Sequence, residues 1–188
     1  TAMISHLGFL SSEVDESAKK LTSQYHELFE LSERVSTLFI RLLRDATLDP
    51  ASIRELAVNA LAAKSLELFQ SSVILLRKGC IPGARVLCRA QIETAYKLCA
   101  IVLTSNGITR YIDQEKSTRL QKLRSIVKYK QTHPGSGVAP GIEQEIDTLS
   151  KDKPKKTEPH MWASLATMDD FHNLYYQGMS DDTHSNIE

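Results

Sequence analysis

The chain has 188 residues, of which 41% are hydrophobic and 24% charged, and its 23 basic side chains balance its 23 acidic ones. A chain of this length and composition can bury a substantial core, so we predict one globular domain over residues 1–188. Zero net charge excludes a global field that attracts nucleic acid or an anionic membrane. The longest apolar run, residues 98–103, is too short to span a bilayer, so we predict no membrane partner.

Cysteine and histidine spacing exclude further classes. Three cysteines, Cys80, Cys88 and Cys99, lie among apolar residues, and their odd number without ligand spacing predicts reduced, buried thiols in a cytoplasmic protein. The six histidines form no His-x-x-x-His or Glu-x-x-His pair. The sequence therefore predicts no metal site and no cofactor.

The first predicted element is a long amphipathic helix over residues 11–44. Its apolar residues recur every three or four positions, which is typical of a helix with one buried face. We predict that this face is formed by Leu21, Tyr25, Leu28, Leu31, Val35, Leu38 and Leu42. A homodimer formed through this helix is a further prediction.

Residues 51–104 are predicted to form a central helical hairpin around which the chain is organised. Residues 51–78 contain no glycine or proline. Gly79 can end this helix in the left-handed conformation, and Pro82 can begin the next because its φ is already helical. A connection this short makes the two helices antiparallel neighbours.

A polar stripe runs along the second helix of the hairpin, which is otherwise apolar nearly all round. Its members, spaced by four, are Arg85, Arg89, Glu93 and Lys97. In one interpretation they form a solvated ladder in which Glu93 pairs with Lys97. In the other, Arg89 and Glu93 face inward and meet polar groups from later segments, because charged groups are seldom buried without partners.

After a break at residues 105–107, a fourth helix is predicted over residues 108–130. One face is basic and consists of Lys116, Arg119, Lys122, Arg124, Lys128 and Lys130. This face indicates an RNA or phosphate partner, and the alternative is a solvated face balanced by acidic residues elsewhere.

The remainder of the chain predicts a mobile loop region at about 132–160 and short helices. The loop region includes a helix over 142–149, and Trp162 is expected to anchor the chain to the body. A helix over 169–178 should turn Tyr175 inward, together with Phe171 and Leu174. Ser180 offers an N-cap for a last helix that we predict to be cut short at the C-terminus, and His184 lies in its first turn.

No strand pattern is present, so the fold class predicted is all-α. The architecture is an antiparallel helical bundle with the central hairpin and additional shorter C-terminal helices.

The stretches AKSLELFQSSVILLRKG at 63–79 and AR-x-L-x-R-x-x-IE at 84–93 resemble a bacterial all-helical family of unknown function, DUF5677. Further positions that match its pattern are Arg110, Tyr111, Trp162, Tyr175, Ser180 and His184. The resemblance implies an all-α fold and a shared polar set of Arg89, Glu93, Tyr111, Ser180 and His184. It implies no activity.

A looser likeness is to the helical nucleotide-binding and ribonuclease group abbreviated HEPN, which occurs in toxin and phage-defence systems. The hallmark of that group is an arginine followed after four to six residues by a histidine on one helix. Here Arg89 is followed by Glu93 instead, and His184 is remote in sequence.

Two functions are predicted. The first is a binding or assembly module of a phage-defence or stress system, with a polar Arg89–Glu93–His184 cluster that either fixes the bundle or binds a small anionic ligand or a protein partner. Candidate binding residues are Arg85, Tyr111, Tyr175, Ser180, Lys122 and Lys128. The alternative is a metal-independent ribonuclease or phosphodiesterase. There His184 would exchange protons, Arg89 would stabilise phosphate, Glu93 would orient Arg89, and Lys122 and Lys128 would hold RNA.

Overall fold

The structure, a computed structural model, describes residues 11, 13–133, 140–176 and 178–179. This part of the chain is helical and contains no strand, which confirms the all-α class. Its elements are α1 Glu13–Gln24, α2 His26–Asp45, α3 Ile53–Arg77, α4 Ile81–Leu103, α5 Gly107–Thr132, α6 Ile142–Lys151, α7 Pro159–Leu165 and α8 Asp169–Phe171, which runs into a π-helical turn over His172–Tyr176.

The central hairpin is formed by α3 and α4, as predicted. Gly79 ends α3 with a φ of +73°, a value that side chains disfavour, and Pro82 lies in the first turn of α4. Helix α4 packs against α3, α5 and α7. It is therefore the element on which the other helices converge.

The C-terminal end of α4 is stabilised by an arginine of α3. The guanidinium of Arg54 donates to three carbonyl oxygens, those of Ile101 at 2.5 Å, Thr104 at 3.3 Å and Ser105 at 3.1 Å. The last carbonyls of a helix lack partners inside the helix, and the helix dipole makes them negative, so a cation is favoured there. Arg54 thus fixes the register between the two helices.

Gly107 allows α5 to begin directly against α4. A Cβ built on Gly107 would lie 2.7 Å from both Ala100 C and Ile101 Cα, and nearer still to the Ala100 carbonyl oxygen. These are backbone atoms of a buried helix, so they cannot rotate away. Only a residue without a side chain fits this crossing.

We therefore expect Gly107→Ala to lower the free energy of unfolding by about 2–3 kcal/mol through overpacking. Urea denaturation of the two proteins measures the difference. Gly83→Ala is the matched control, because its Cβ would meet only the end of a side chain, Leu75 Cδ1 at 3.2 Å, and no backbone atom. Equal losses for both variants would contradict the explanation.

The predicted single helix over residues 11–44 is wrong. It is divided at Tyr25, whose φ of −116° and ψ of 29° are not helical. The amide of Tyr25 closes α1 by donating to Leu21 O at 3.0 Å, and Tyr25 O accepts from Phe29 N at 3.1 Å to open α2. The break follows two poor helix formers, Thr22 and Ser23.

The predicted burial of this segment's apolar face is also wrong. Its members on α2 are exposed by 42–60%: Leu28, Leu31, Val35, Leu38 and Leu42. Helix α2 contacts α3 through a different face, on which Phe29 is buried, Ser36 accepts from Gln70 at 2.8 Å and Glu33 pairs with Arg77 at 2.5 Å. Periodicity identified an apolar face but not which face packs against the body.

The predicted loop region 132–160 contains a helix that packs against α5. Helix α6 extends two residues past the predicted 142–149, to Lys151. Arg119 of α5 pairs with Glu145, and Lys116 with Asp152 at 2.6 Å. The part of this region that the structure describes is therefore attached to the body by ion pairs.

No helix in the described residues is long and apolar enough to cross a membrane. The three thiols are unpaired and half-buried, and burial raises the pKa of Cys99. A cytoplasmic location stays a prediction.

Candidate functional site

A cavity of about 290 Å³ lies between α4, α5, α7 and the π-helical turn, and we call it the α4–α7 cavity. Its wall combines charged groups, aromatic rings and one extended segment that precedes α7. It is lined by Arg89, Glu93, Tyr96, Lys97, Gln114, Lys156, Thr157, Glu158, Pro159, Trp162 and Tyr176.

Tyr176 joins the two central charges of the polar stripe. Its hydroxyl donates to Glu93 Oε1 at 2.5 Å and accepts from Arg89 Nε at 3.2 Å and Nη2 at 3.1 Å. Arg89 Nε also lies 3.4 Å from Glu93 Oε1, as expected for residues one turn apart. The inward interpretation of the stripe is thus confirmed for Arg89 and Glu93, and their partner comes from a later segment.

These charges are bonded to each other and are also open to water. The side chain of Arg89 is 21% exposed and that of Glu93 is 35% exposed. Burial lowers the pKa of Arg89, but the hydrogen bonds that Arg89 donates to Tyr176 and the charge of Glu93 outweigh it, so the pKa is raised and the guanidinium stays charged. Such a network holds the π-helical turn against α4 and leaves part of the charge accessible to solvent.

Two of the residues that line the cavity carry a buried polar group that has no hydrogen-bond partner among the described residues. Tyr96 is fully buried and Trp162 is 1% exposed, which confirms the predicted anchoring role of Trp162. In the part of the chain that the structure describes, neither the Tyr96 hydroxyl nor Trp162 Nε1 finds a partner. A buried polar group without a partner costs about 1–3 kcal/mol, so such groups require an explanation.

Both tyrosine hydroxyls of the cavity stay protonated at neutral pH. Burial, with the nearby Tyr176 and Glu93, raises the pKa of Tyr96 to about 12. Burial and the bond to Glu93 raise the pKa of Tyr176, and Arg89 opposes this only in part. Trp162 Nε1 and the protonated hydroxyl of Tyr96 can therefore each donate a hydrogen bond to an acceptor.

The outer part of the cavity is formed by lysines and by the segment before α7. Gln114 accepts from the backbone amide of Thr157 at 2.6 Å, which fixes this segment on α5. Lys156 pairs with Glu158 at 3.1 Å, whereas Lys97 makes no ion pair or hydrogen bond with the described residues. The lining cations outnumber the lining carboxylates by one.

The predicted site residues do not all meet here. Arg85 is exposed one turn before Arg89, and Tyr111 packs against the core next to the cavity without lining it. Burial, followed by the charge of Glu115, raises the pKa of Tyr111. Ser180 and His184 lie outside the described residues.

The prediction that Tyr175 faces inward is wrong, and so are those for Phe171 and Leu174. Tyr175 is 56% exposed, while His172 and Tyr176 are buried. The segment forms a π-helical turn, and its inward face carries His172 and Tyr176. Tyr176 takes the position that the sequence analysis assigned to its neighbour.

The basic face of α5 lies apart from the cavity and is partly neutralised. Lys116 and Arg119 pair with acidic residues at α6, and Arg124 donates to Ser150 at 3.1 Å. Lys122 and Lys128 are exposed and do not line the α4–α7 cavity. Much of the face is thus a surface that holds α6, which supports the balanced-face interpretation.

His172 is buried behind the cavity wall. Its ring stacks on Tyr176 with 4.6 Å between centroids and lies 5.8 Å from the ring of Tyr96. Burial, with the charge of His160, lowers its pKa below the ordinary 6.5, and Asp169 opposes this only in part. In the folded protein His172 is neutral at pH 7.

We expect the folded state to lose stability as the pH falls below 6.5. The pKa of His172 is depressed by folding, so its contribution is fully present above 6.5 and is lost as the pH falls toward the lower folded value. Urea denaturation gives the free energy of unfolding at pH 7.5 and at pH 5. The difference between the two values should be smaller for His172→Phe than for wild type. His26→Gln, on exposed α2, is the control and should leave the difference unchanged.

Sequence reasoning missed four of the lining residues that matter most: Tyr96, Gln114, Thr157 and Tyr176. Tyr96 follows Glu93 by three positions, so it shares a helix face with that carboxylate, and this spacing was a usable signal. Thr157 lies in a polar stretch that predicts an excursion over the surface. Nothing local distinguished Tyr176 from Tyr175.

The described residues contain no group of three or more His, Cys, Asp or Glu side chains placed to hold a metal ion. The family model of a family of unknown function, DUF5677, matches residues 55–188. This range includes every residue that lines the α4–α7 cavity, whereas α1 and α2 precede it. No curated protein and no solved structure matches the chain.

Proposed function

We propose that this chain, which belongs to the family of unknown function DUF5677, binds a small anionic ligand in the α4–α7 cavity. The observation that carries the proposal is a pair of buried donors, Tyr96 and Trp162, that have no partner among the described residues and line a cavity with three cationic side chains and two carboxylates. A ligand oxygen would supply the missing acceptor.

The charge of the ligand is argued from the groups around it. Arg89 and Lys97 would meet the negative group, and charge-assisted hydrogen bonds of this kind are about twice as strong as neutral ones. The Glu93 carboxylate already accepts a hydrogen bond from Tyr176 and pairs with Arg89. Its main effect is therefore to position the guanidinium, and its repulsion of an anionic ligand is reduced. Trp162 Nε1 can only donate a hydrogen bond and the protonated Tyr96 hydroxyl can also donate one, so a ligand with acceptor oxygens satisfies both groups.

The size of the ligand is limited by the cavity. Its volume of about 290 Å³ is at the lower end of the range for small-molecule sites. A small carboxylate or phosphate compound fits, whereas a macromolecule would insert only a terminal group.

The test is a thermal-shift and calorimetric titration of the whole chain with inorganic phosphate, malonate and adenosine monophosphate, with adenosine as the uncharged counterpart. Binding raises the melting temperature by mass action. We expect at least one anion, but not adenosine, to do so. Absence of a shift with all three anions at millimolar concentration would overturn the proposal.

Substitution of two lysines, one inside the cavity and one outside it, tests whether the anion binds in the cavity. Lys97→Met removes a cavity cation, and we expect an affinity about tenfold weaker, the loss of one charge-assisted hydrogen bond. Lys128→Met removes an exposed lysine of α5 that does not line the cavity and should leave affinity unchanged. Equal effects would indicate non-specific anion binding.

The ribonuclease alternative stays a prediction. Within the described residues no histidine lines the cavity, and His184 lies outside them. Metal-free RNA cleavage that is lost in His184→Ala would establish it. A role in phage defence or stress is likewise untested.

A further inference from the structure

The exposed apolar face of α2 has the spacing of a coiled-coil seam. Its residues follow one another at intervals of three, four, three and four: Leu28, Leu31, Val35, Leu38 and Leu42. Apolar residues in this pattern occupy the a and d positions of a heptad and pack as knobs into the holes of a facing helix. We call this face the α2 seam.

The α2 seam points away from the body of the protein. Phe29, Glu33 and Ser36 contact α3, and at 100° per residue they lie about 150° around α2 from the seam. Helix α2 thus carries one face that fixes it to α3 and a second, exposed apolar face. An apolar face this long on a surface helix is typical of an interaction site.

We propose that the α2 seam pairs with the α2 seam of a second copy of this chain, in antiparallel orientation. The orientation follows from the charges beside the seam. The g positions that flank it are Glu27, Arg34 and Arg41, and all three are exposed. Charges at such positions set the partner and orientation of coiled coils.

In the antiparallel register Leu28 packs against Leu38 of the second copy and Leu31 against Val35. Glu27 then faces Arg41 of the second copy, twice by symmetry, and each pair is attractive. In a parallel pair each g residue meets the e residue of the next heptad, so Glu27 would meet Ser32 and Arg34 would meet Phe39. Only the antiparallel arrangement pairs acid with base.

The first experiment compares the mass of the whole chain in solution with that of seam variants, by sedimentation velocity over a concentration series. We expect a wild-type dimer and a folded Leu31→Glu monomer, with circular dichroism as the check on folding. Leu174→Glu is the matched control, because Leu174 is 72% exposed and lies outside the seam. A wild-type monomer throughout, or an unchanged dimer in Leu31→Glu, overturns the proposal.

Charge reversal tests the orientation. Glu27→Arg should weaken the dimer about tenfold, since two attractive pairs become repulsive. Adding Arg41→Glu should restore it. Both sites are exposed and far from the core, so misfolding does not produce this pattern. A double variant that stays as weak as Glu27→Arg rejects the antiparallel pairing.

Arg34 supplies an opposite test. In the antiparallel register Arg34 faces Arg34 of the second copy near the two-fold axis. Arg34→Gln therefore removes a repulsion between two like charges and should tighten the dimer. Weaker association in this variant would contradict the register.

Discussion

Replacing Tyr96 with phenylalanine is expected to stabilise the ligand-free protein and to weaken ligand binding. The substitution keeps the ring, which packs against Tyr176 and His172, and removes only the hydroxyl. Because that buried hydroxyl has no partner among the described residues, its removal should raise the free energy of unfolding by about 1 kcal/mol. The same removal deprives the ligand of a donor, and we expect affinity to fall about tenfold.

Thermal denaturation and calorimetry of the same samples measure both effects. Tyr111→Phe is the control, because this tyrosine packs against the same core without lining the cavity. It should leave ligand affinity unchanged. If Tyr96→Phe instead destabilises the protein and leaves affinity unchanged, the hydroxyl has a structural partner and the proposed role of Tyr96 fails.

Arg89→Ala is expected to reduce both stability and affinity, affinity by more. It removes both donors to the Tyr176 hydroxyl and the opposite charge beside Glu93. Because both side chains are partly exposed, water compensates in part, and we expect a loss of about 1–2 kcal/mol in the free energy of unfolding. An anion that contacts the Arg89 guanidinium should bind to Arg89→Ala about 30-fold more weakly than to the wild-type protein.

The two effects are separated by measuring stability without ligand and affinity with it. Arg85→Ala, one turn earlier and outside the cavity, is the control for affinity. A loss of stability with unchanged affinity would show that the network serves only to hold the π-helical turn. Unchanged stability would show that the bonds to Tyr176 contribute nothing in solution.

The helical class and the central hairpin followed from local chemistry. Gly79 tolerates the left-handed conformation and Pro82 favours a first helical turn, so the boundaries of α3 and α4 are encoded within a few residues. The polar stripe was equally legible, because residues spaced by four lie on one face of any helix. These features depend on the chain's own periodicity.

The tertiary structure decided which helix faces pack against the body and which side chains contact one another. The apolar face of α2 has helical spacing, but only the contacts with α3 show that the face with Phe29 is the one that packs against the body. Tyr175 and Tyr176 are adjacent and chemically identical, and the π-helical turn selects Tyr176 for the network with Arg89 and Glu93.

The sequence by itself thus determined the helical class, the boundaries of the central hairpin and the charged line on α4, because these arise from residues within one or two turns of each other. Only the tertiary structure brought Tyr96, Trp162 and Tyr176 to one cavity and left the α2 seam exposed. Burial and hydrogen bonding between segments 80 residues apart depend on how whole helices pack, and no local pattern specifies that packing.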